Sequence, residues 1–313
     1  MLAYALRRLL QFIPTILTVV LIIFILLNVL PGNAALMAAG DQDMNIDAHY
    51  IEKMKKDWGL DKPVWLRFAI YVKDLATGNL GVSFLRGEPV RQLILERFWP
   101  TLKLALTAMV IAVALGVPLG FYSALRQGSW MDTISMMGAV SGVSMPQFWL
   151  GLLLMYLMSV YLGWLPPQGY GDGALKNMIM PAFTLGVGYM ALLARTTRAA
   201  VVEILNHDYI RTARAKGLSE WVVNRRHVMR NALILVLTTA GLQFGTLMAQ
   251  TVIVEKLFSW PGLGSLLVDS IFQRDIPVTQ GCILTIIVVF LVVNLIVDLL
   301  YGVIDPRIRA AYR

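Results

Sequence analysis

Long apolar runs joined by short basic connections dominate this chain. A helix needs about 20 apolar residues to cross a bilayer core. Six runs approach or exceed that length, at residues 9–30, 102–125, 134–164, 178–193 (running on toward Val202), 232–254 and 282–303. The third holds Gly138, Gly142 and Pro146, which predicts a kink or a tilt, because proline removes a helix hydrogen bond. The second holds Gly116, Pro118 and Gly120, suited to close helix packing or a bend. The expected fold is an all-α integral membrane protein of six transmembrane helices.

The first run follows Arg7 and Arg8, as in a secretory leader, but it is longer than a leader core and no small-x-small cleavage site follows. It reads as a retained first span. Between it and the second span lies the segment 31–98, too long for a plain connector. Ile51, Met54 and Trp58 recur at helical spacing, with Gly59 as a stop. Trp65, Phe68, Val72 and Leu75 repeat the pattern after Pro63, and Val90, Leu93, Ile94 and Arg97 lead into the second span. This predicts a small helical cap. The expected organisation is a tail and first span (1–30), the helical cap (31–98), a five-helix core (99–303) with a basic segment at 203–231, and a C-terminal tail (304–313).

Composition agrees with the membrane reading. The chain is 58% hydrophobic and 15% charged, where soluble domains carry about 25% charged residues. Its mean hydropathy is +0.67. The net charge of +8 does not form a soluble basic face for nucleic acid; it sits beside apolar runs and sets orientation. One set of short connections and tails carries fourteen Lys and Arg, the opposite set three, namely Lys176, Lys256 and Arg274. Both termini and the 203–231 segment are therefore expected in the cytoplasm, and 31–98 outside.

Several chemistries are missing. There is no Gly-Lys dipeptide and so no phosphate-cradling P-loop. The three histidines, His49, His207 and His227, fall on both expected sides of the membrane, and Cys282 is alone, so no metal site or disulfide is expected. No Gly-x-Ser-x-Gly elbow occurs. Asp298 is the one acid expected inside a span. An intramembrane enzyme lacks its dyad or metal set, and a self-contained secondary carrier lacks evident inverted repeats and intramembrane charges.

The basic segment carries the most information. Asn206 or Asp208 can cap a helix start, Gly217 breaks it, and Ser219-Glu220 can begin a second helix. It reads either as a loop made basic by orientation alone or as a docking element, its small residues Ala213, Ala215 and Gly217 allowing close approach of another surface. Elsewhere Thr239, Gln243, Thr246 and Gln250 form one polar stripe on the fifth run. Such a stripe faces protein or water, either as interhelical hydrogen bonds or as the lining of a path. Asn294, Asp298 and Tyr301 form a second stripe, in which Asn294 is a further candidate for the path lining and Asp298 is expected to pair with a basic residue at the interface; Ser141 and Ser144, beside Pro146, are candidates for the lining or for packing at the kink. Phe258, Trp260, Pro261 and Gly262 lie in an aromatic, Gly-rich segment expected outside, either a turn with an interface anchor or an external gate.

Tyr209-Ile-Arg-Thr-Ala-Arg-Ala-Lys-Gly217, followed by His227 through Leu233, resembles the cytoplasmic coupling loop of permeases of bacterial ABC importers. The variant form is similar to that of the dipeptide/oligopeptide/nickel family, first (B-type) subunit. Ala213 and Gly217 match the general importer motif, while Arg211 and Thr212 replace its Glu and first Ala. The resemblance spans the chain, through Ile13-Pro14-Thr15, Pro31-Gly32, Gly59-Leu60-Asp61-x-Pro63, Gly78-x-Leu80-Gly81-x-Ser83, Gly142-x-Ser144-x-Pro146-x-Phe148, Phe258-x-Trp260-Pro261-Gly262-Leu263-Gly264, Arg274-Asp275 and Asp305-Pro306-Arg307-Ile308-Arg309. It implies a type I importer permease of the bacterial inner membrane that is not itself an enzyme and binds no cofactor. It implies a homologous second permease, two cytoplasmic ATPase subunits carrying ATP and Mg, and an external solute-binding protein as partners. Coupling falls to Tyr209, Arg211, Thr212, Ala213, Arg214, Ala215, Lys216 and Gly217. Dipeptides or short peptides are the expected solutes, with nickel or metal chelates and glutathione-type peptides as alternatives.

Overall fold

The structure, a computed structural model, describes residues 2–28 and 61–304. The expected helix through Ile51, Met54 and Trp58, the Pro31-Gly32, Gly59-Leu60 and 305–309 motifs, and the side chains of Asp298 and Tyr301 lie outside the described residues. Among the described residues, secondary structure is helical apart from one isolated antiparallel bridge, Val82 to Pro89. The helices are α1 (Leu2–Asn28), α2 (Val64–Ala76), α3 (Val90–Leu125), α4 (Trp130–Ser144), α5 (Gln147–Tyr161), α6 (Leu175–Leu205), α7 (Asp208–Ala215), α8 (Glu220–Leu257), α9 (Leu263–Phe272) and α10 (Ile276–Ile304). A π-helical stretch ends α5 (Met155–Tyr161) and another lies near the start of α8 (Val223–Met229).

Four helices, α3, α6, α8 and α10, are long and apolar enough to cross a membrane. α4 and α5 make a fifth span if taken together, and α1 carries a shorter apolar stretch, Leu10–Leu26. Length and composition thus account for four or five spans among the described residues. The second span begins earlier than its apolar run, because α3 continues unbroken from Val90.

The third expected span is not one kinked helix. α4 and α5 meet at 106°. The cause is local. A residue before proline avoids the α region, and Met145 is extended (φ −77°, ψ 129°), so α4 stops and α5 restarts after Pro146.

α6 is the central helix. Of its most apolar window 67% is buried, against 28–39% for α3, α8 and α10, whose apolar surfaces are left for lipid. The α3–α6 crossing is tight because its glycines have no Cβ. A Cβ at Gly116 would stand 2.5 Å from the carbonyl oxygen of Met190, one at Gly186 2.8 Å from that of Ala108, and one at Gly120 would overlap that of Ala194. Close packing was the right expectation for Gly116 and Gly120. Exposed aromatics mark both ends of the bundle, Trp99, Tyr161 and Trp164 at one and Tyr122, Trp130 and Trp221 at the other. Trp99 and Tyr122 are about 35 Å apart along α3 at the helical rise, the spacing of two interfacial aromatic belts.

At the α7 end, Asp132 staples three helices. Arg198 on α6 grips its carboxylate through Nε (2.6 Å) and a terminal nitrogen (2.7 Å), Ser123 on α3 donates its hydroxyl, and the Gly128 N–H donates at 3.0 Å. At the other end two sequence motifs meet. Ser83 donates its hydroxyl to Asp275 at 2.5 Å, and the Phe84 N–H donates to the same carboxylate at 3.2 Å. α2 holds to α1 through Phe68 and Tyr71, whose rings lie 5.2 and 6.0 Å from that of Phe24.

Candidate functional site

The break between α4 and α5 opens a cavity of about 690 Å³ against α6 and α8. Gln243, Thr246 and Gln250 of the polar stripe line it, together with Gln147 and Tyr189, which the sequence pattern does not single out, and Arg195, which the orientation count places among the fourteen cytoplasmic basic residues. The two readings of the stripe combine here. Gln147 donates to Gln250 at 2.9 Å across α5 and α8, and the Tyr189 hydroxyl lies 3.5 Å from that of Thr246, yet all four line the opening. Thr239 instead returns its hydroxyl to the Leu235 carbonyl, one turn back on its own helix. Ser144 does the same with Val140, and Ser141 sits with it on the exposed last turn of α4, outside the lining. Asn294 faces α8 at Gly245, away from the cavity. The stripe was legible from polar periodicity. Gln147 was not, because a lone glutamine after a proline has no periodic partner.

The segment 203–231 forms α7, a turn and the start of α8. Gly217 ends α7's turn at φ +78°, as expected. The helix start differs from expectation. His207 occupies the cap position without a side-chain bond, and the Asn206 amide donates back to the Val202 carbonyl. Ile210 and Ala213 face inward, buried with Phe121, Ala124, Val201, Val223 and Val228. Ala213 therefore does not offer a small surface to a partner; its own chain fills that space. Tyr209, Arg211, Thr212, Arg214, Ala215, Lys216 and Gly217 are exposed. Arg214 pairs with Glu220 (2.8 and 3.3 Å), tying α7 to α8. Trp221, also exposed, lies under the Arg225 guanidinium at 5.0 Å. The face turned away from the bundle is thus cationic, aromatic and rigidly backed.

The aromatic segment after α8 is a packed core rather than an open external gate. Phe258 and Trp260 are 1% and 0% exposed. Ser259 between them takes a left-handed φ of 50°, the reversal that lets both aromatics reach the interior. The Trp260 indole N–H donates to the Pro100 carbonyl at 3.0 Å, and its ring meets that of Tyr170 edge-on at 4.8 Å. Glu255 organises the turn. It lies one residue past the fifth apolar run (232–254), but α8 runs to Leu257 and the carboxylate is fully buried. It accepts from the Thr101 hydroxyl (2.6 Å) and from the Ser265 N–H in the first turn of α9 (2.9 Å). A Cβ on Gly262 would collide with that carboxylate, and one on Gly264 would lie 2.5 Å from Val252 Cα. These two contacts explain why the segment is Pro-Gly-Leu-Gly.

The chain matches the family described as binding-protein-dependent transport system inner membrane component over residues 116–310, and that family's N-terminal component over residues 1–105. It belongs to this permease family. Within it, the sequence is 46% identical to the glutathione transport system permease protein GsiC of Escherichia coli O6:H1 over 309 residues, 99% of each chain. It is 47% identical over the same share to the GsiC of Pectobacterium atrosepticum. Among solved structures, an inward-facing MetNI methionine ABC transporter is similar with a TM-score of 0.59 at 17% identity, covering 69% of this chain and 97% of that one. An amino acid ABC transporter is similar at 0.53 and 18%, covering 68% and 94%. These share the fold. The expectation of an ABC importer permease of the dipeptide/oligopeptide/nickel type is met, and the protein is a multi-pass inner-membrane transport component.

Proposed function

We propose that this permease is one membrane half of an ATP-driven, binding-protein-dependent importer for glutathione-type or similar short peptides. The observation that carries the reading is the full-length 45–47% identity to glutathione permeases. It ranks the glutathione-type alternative above the dipeptides first expected and above a nickel or metal-chelate system. The cavity supports it, since the polar part of its lining is amide, hydroxyl and one guanidinium, with no carboxylate among the described residues. A metal ion wants anionic oxygens; a peptide backbone wants the mixed donors and acceptors of Gln and Thr.

In this reading a homologous permease closes the other side of the cavity, with Gln243, Thr246 and Gln250 facing the solute. Two ATPase subunits, carrying ATP and Mg, dock against the exposed face of α7 on the cytoplasmic side, where both termini lie. A binding protein delivers solute at the α9 end. ATP-driven closure of the ATPases moves α7 and switches the cavity between its two openings. The buried Phe258–Gly262 turn acts as the fixed outer wall against which the switch works.

Reconstitution tests the whole reading. The purified chain alone in liposomes should accumulate nothing. The complete complex with binding protein and ATP should accumulate glutathione. Uphill transport by the single chain, or a complex that imports metal chelates and no peptide, would overturn it.

The docking face has its own test. Arg214→Glu puts two like charges together at an exposed pair, so it should cost less than about 1 kcal/mol of fold stability while releasing ATPase subunits and reducing uptake. The double swap Arg214→Glu with Glu220→Arg rebuilds the internal pair. Docking should stay impaired if Arg214 meets the ATPase, and return if the pair is only internal.

A further inference from the structure

Arg195 is the single charged residue among the described residues lining the cavity. It lies on α6, one helical turn inward of the Asp132–Arg198 staple, and it is exposed. It makes no ion pair or hydrogen bond among the described residues. Asp132, an acid at the same end of the bundle, is already gripped on both oxygens by Arg198. At the inner part of the same helix the Thr184 hydroxyl also lines the cavity, 1% exposed and without a partner. The remaining polar lining is neutral, chiefly Gln147, Gln243 and Gln250.

Gly120 packs on Ala194, so Arg195 stands level with Tyr122 at the α7-end mouth of the cavity, where an unpaired guanidinium faces water or an anion. Its fork of donors fits a carboxylate two-for-two, which ammonium groups do not match. We propose that Arg195 is the carboxylate contact of the passage in this subunit, so that the passage favours peptides carrying a free carboxylate over neutral or cationic solutes. The inference rests on the peptide reading above and adds to it the group that the solute presents. Arg195 takes the carboxylate at the α7 end of the cavity while the glutamines hold the amides nearer the α4–α5 break. A divalent cation meets the opposite here, a like charge and no anionic oxygen.

The test uses the complete transporter in vesicles, supplied with binding protein, ATP and glutathione. Arg195→Gln should lower glutathione uptake about tenfold, the loss of one charge-assisted contact, with ATPase subunits still bound. Arg195→Cys should fall equally. Treating it with 2-aminoethyl methanethiosulfonate restores a cation and should recover uptake; 2-sulfonatoethyl methanethiosulfonate adds an anion and should not. Cys282 is fully buried, which keeps reaction elsewhere on this chain low. Uptake by Arg195→Gln within about twofold of wild type, or equal recovery with both reagents, overturns the proposal while the peptide reading stands. Wild-type vesicles that import no peptide overturn both.

Discussion

Glu255→Ala is expected to leave little folded protein in the membrane, although Glu255 touches neither the cavity nor α7. The carboxylate joins three helices. One oxygen takes the Thr101 hydroxyl of α3 and the other the Ser265 N–H of α9, while the Thr101 oxygen accepts from the Leu263 N–H at 2.8 Å. Alanine strands the Ser265 N–H and the Thr101 hydroxyl in a site with no water access. Each of the two stranded groups costs about 1–3 kcal/mol, so the loss is roughly 2–6 kcal/mol. The turn beneath it then loosens, because Gly262 and Gly264 are shaped to that carboxylate. Glu255→Gln keeps the volume and one acceptor oxygen, and should lose about half as much. Thermal unfolding of the solubilised complex, followed by tryptophan emission, measures it. A fall of about 5–10 °C is expected for Ala, on the scaling of a large domain. A midpoint equal to wild type would mean that the Trp260 packing alone holds α3, α8 and α9 together.

That network shows which parts of the fold a sequence can report. Apolar length reports membrane helices well, because lipid imposes one requirement on every residue of a run. α3, α6, α8 and α10 follow from it. Polar periodicity reported three of the cavity's residues for the same reason, since a glutamine on an apolar helix has few places to face. Glu255 and Asp132 escaped because their partners are distant in the chain. Thr101 lies 154 residues from Glu255, and Arg198 lies 66 from Asp132. Single acids at the ends of apolar runs look like interface residues until the fold folds them inward. The 106° break between α4 and α5 escaped in part. Pro146 marked its position, but the angle depends on how α5 seats against α8, through contacts such as Gln147 with Gln250. Ala213 was misread because small residues in a basic segment suit either a partner or the chain's own packing, and only the placement of Val223 and Val228 decides.

Ile210→Ala should uncouple ATP hydrolysis from uptake, the largest functional effect expected from one residue outside the cavity. α7 has eight residues, too few to hold a helix in water unaided. Ile210 and Ala213 anchor it in a socket made by α3, α6 and α8. A force applied to the exposed face of α7 reaches the bundle only if that joint is stiff. Truncating a fully buried isoleucine costs about 2–5 kcal/mol, more than the exposed Arg214–Glu220 pair can offset at about 1 kcal/mol or less. α7 should then follow the ATPases without moving α6 and α8, which carry the cavity lining. The expected result is an assembled complex that hydrolyses ATP near the wild-type rate while uptake falls about tenfold or more, which raises the hydrolysis-to-uptake ratio by the same factor. Ile210→Val removes one methyl, costs about 0.5–1.5 kcal/mol, and should keep most of the coupling. A wild-type ratio in Ile210→Ala would show that force enters elsewhere, with the Trp221–Arg225 surface at the start of α8 the next place to look.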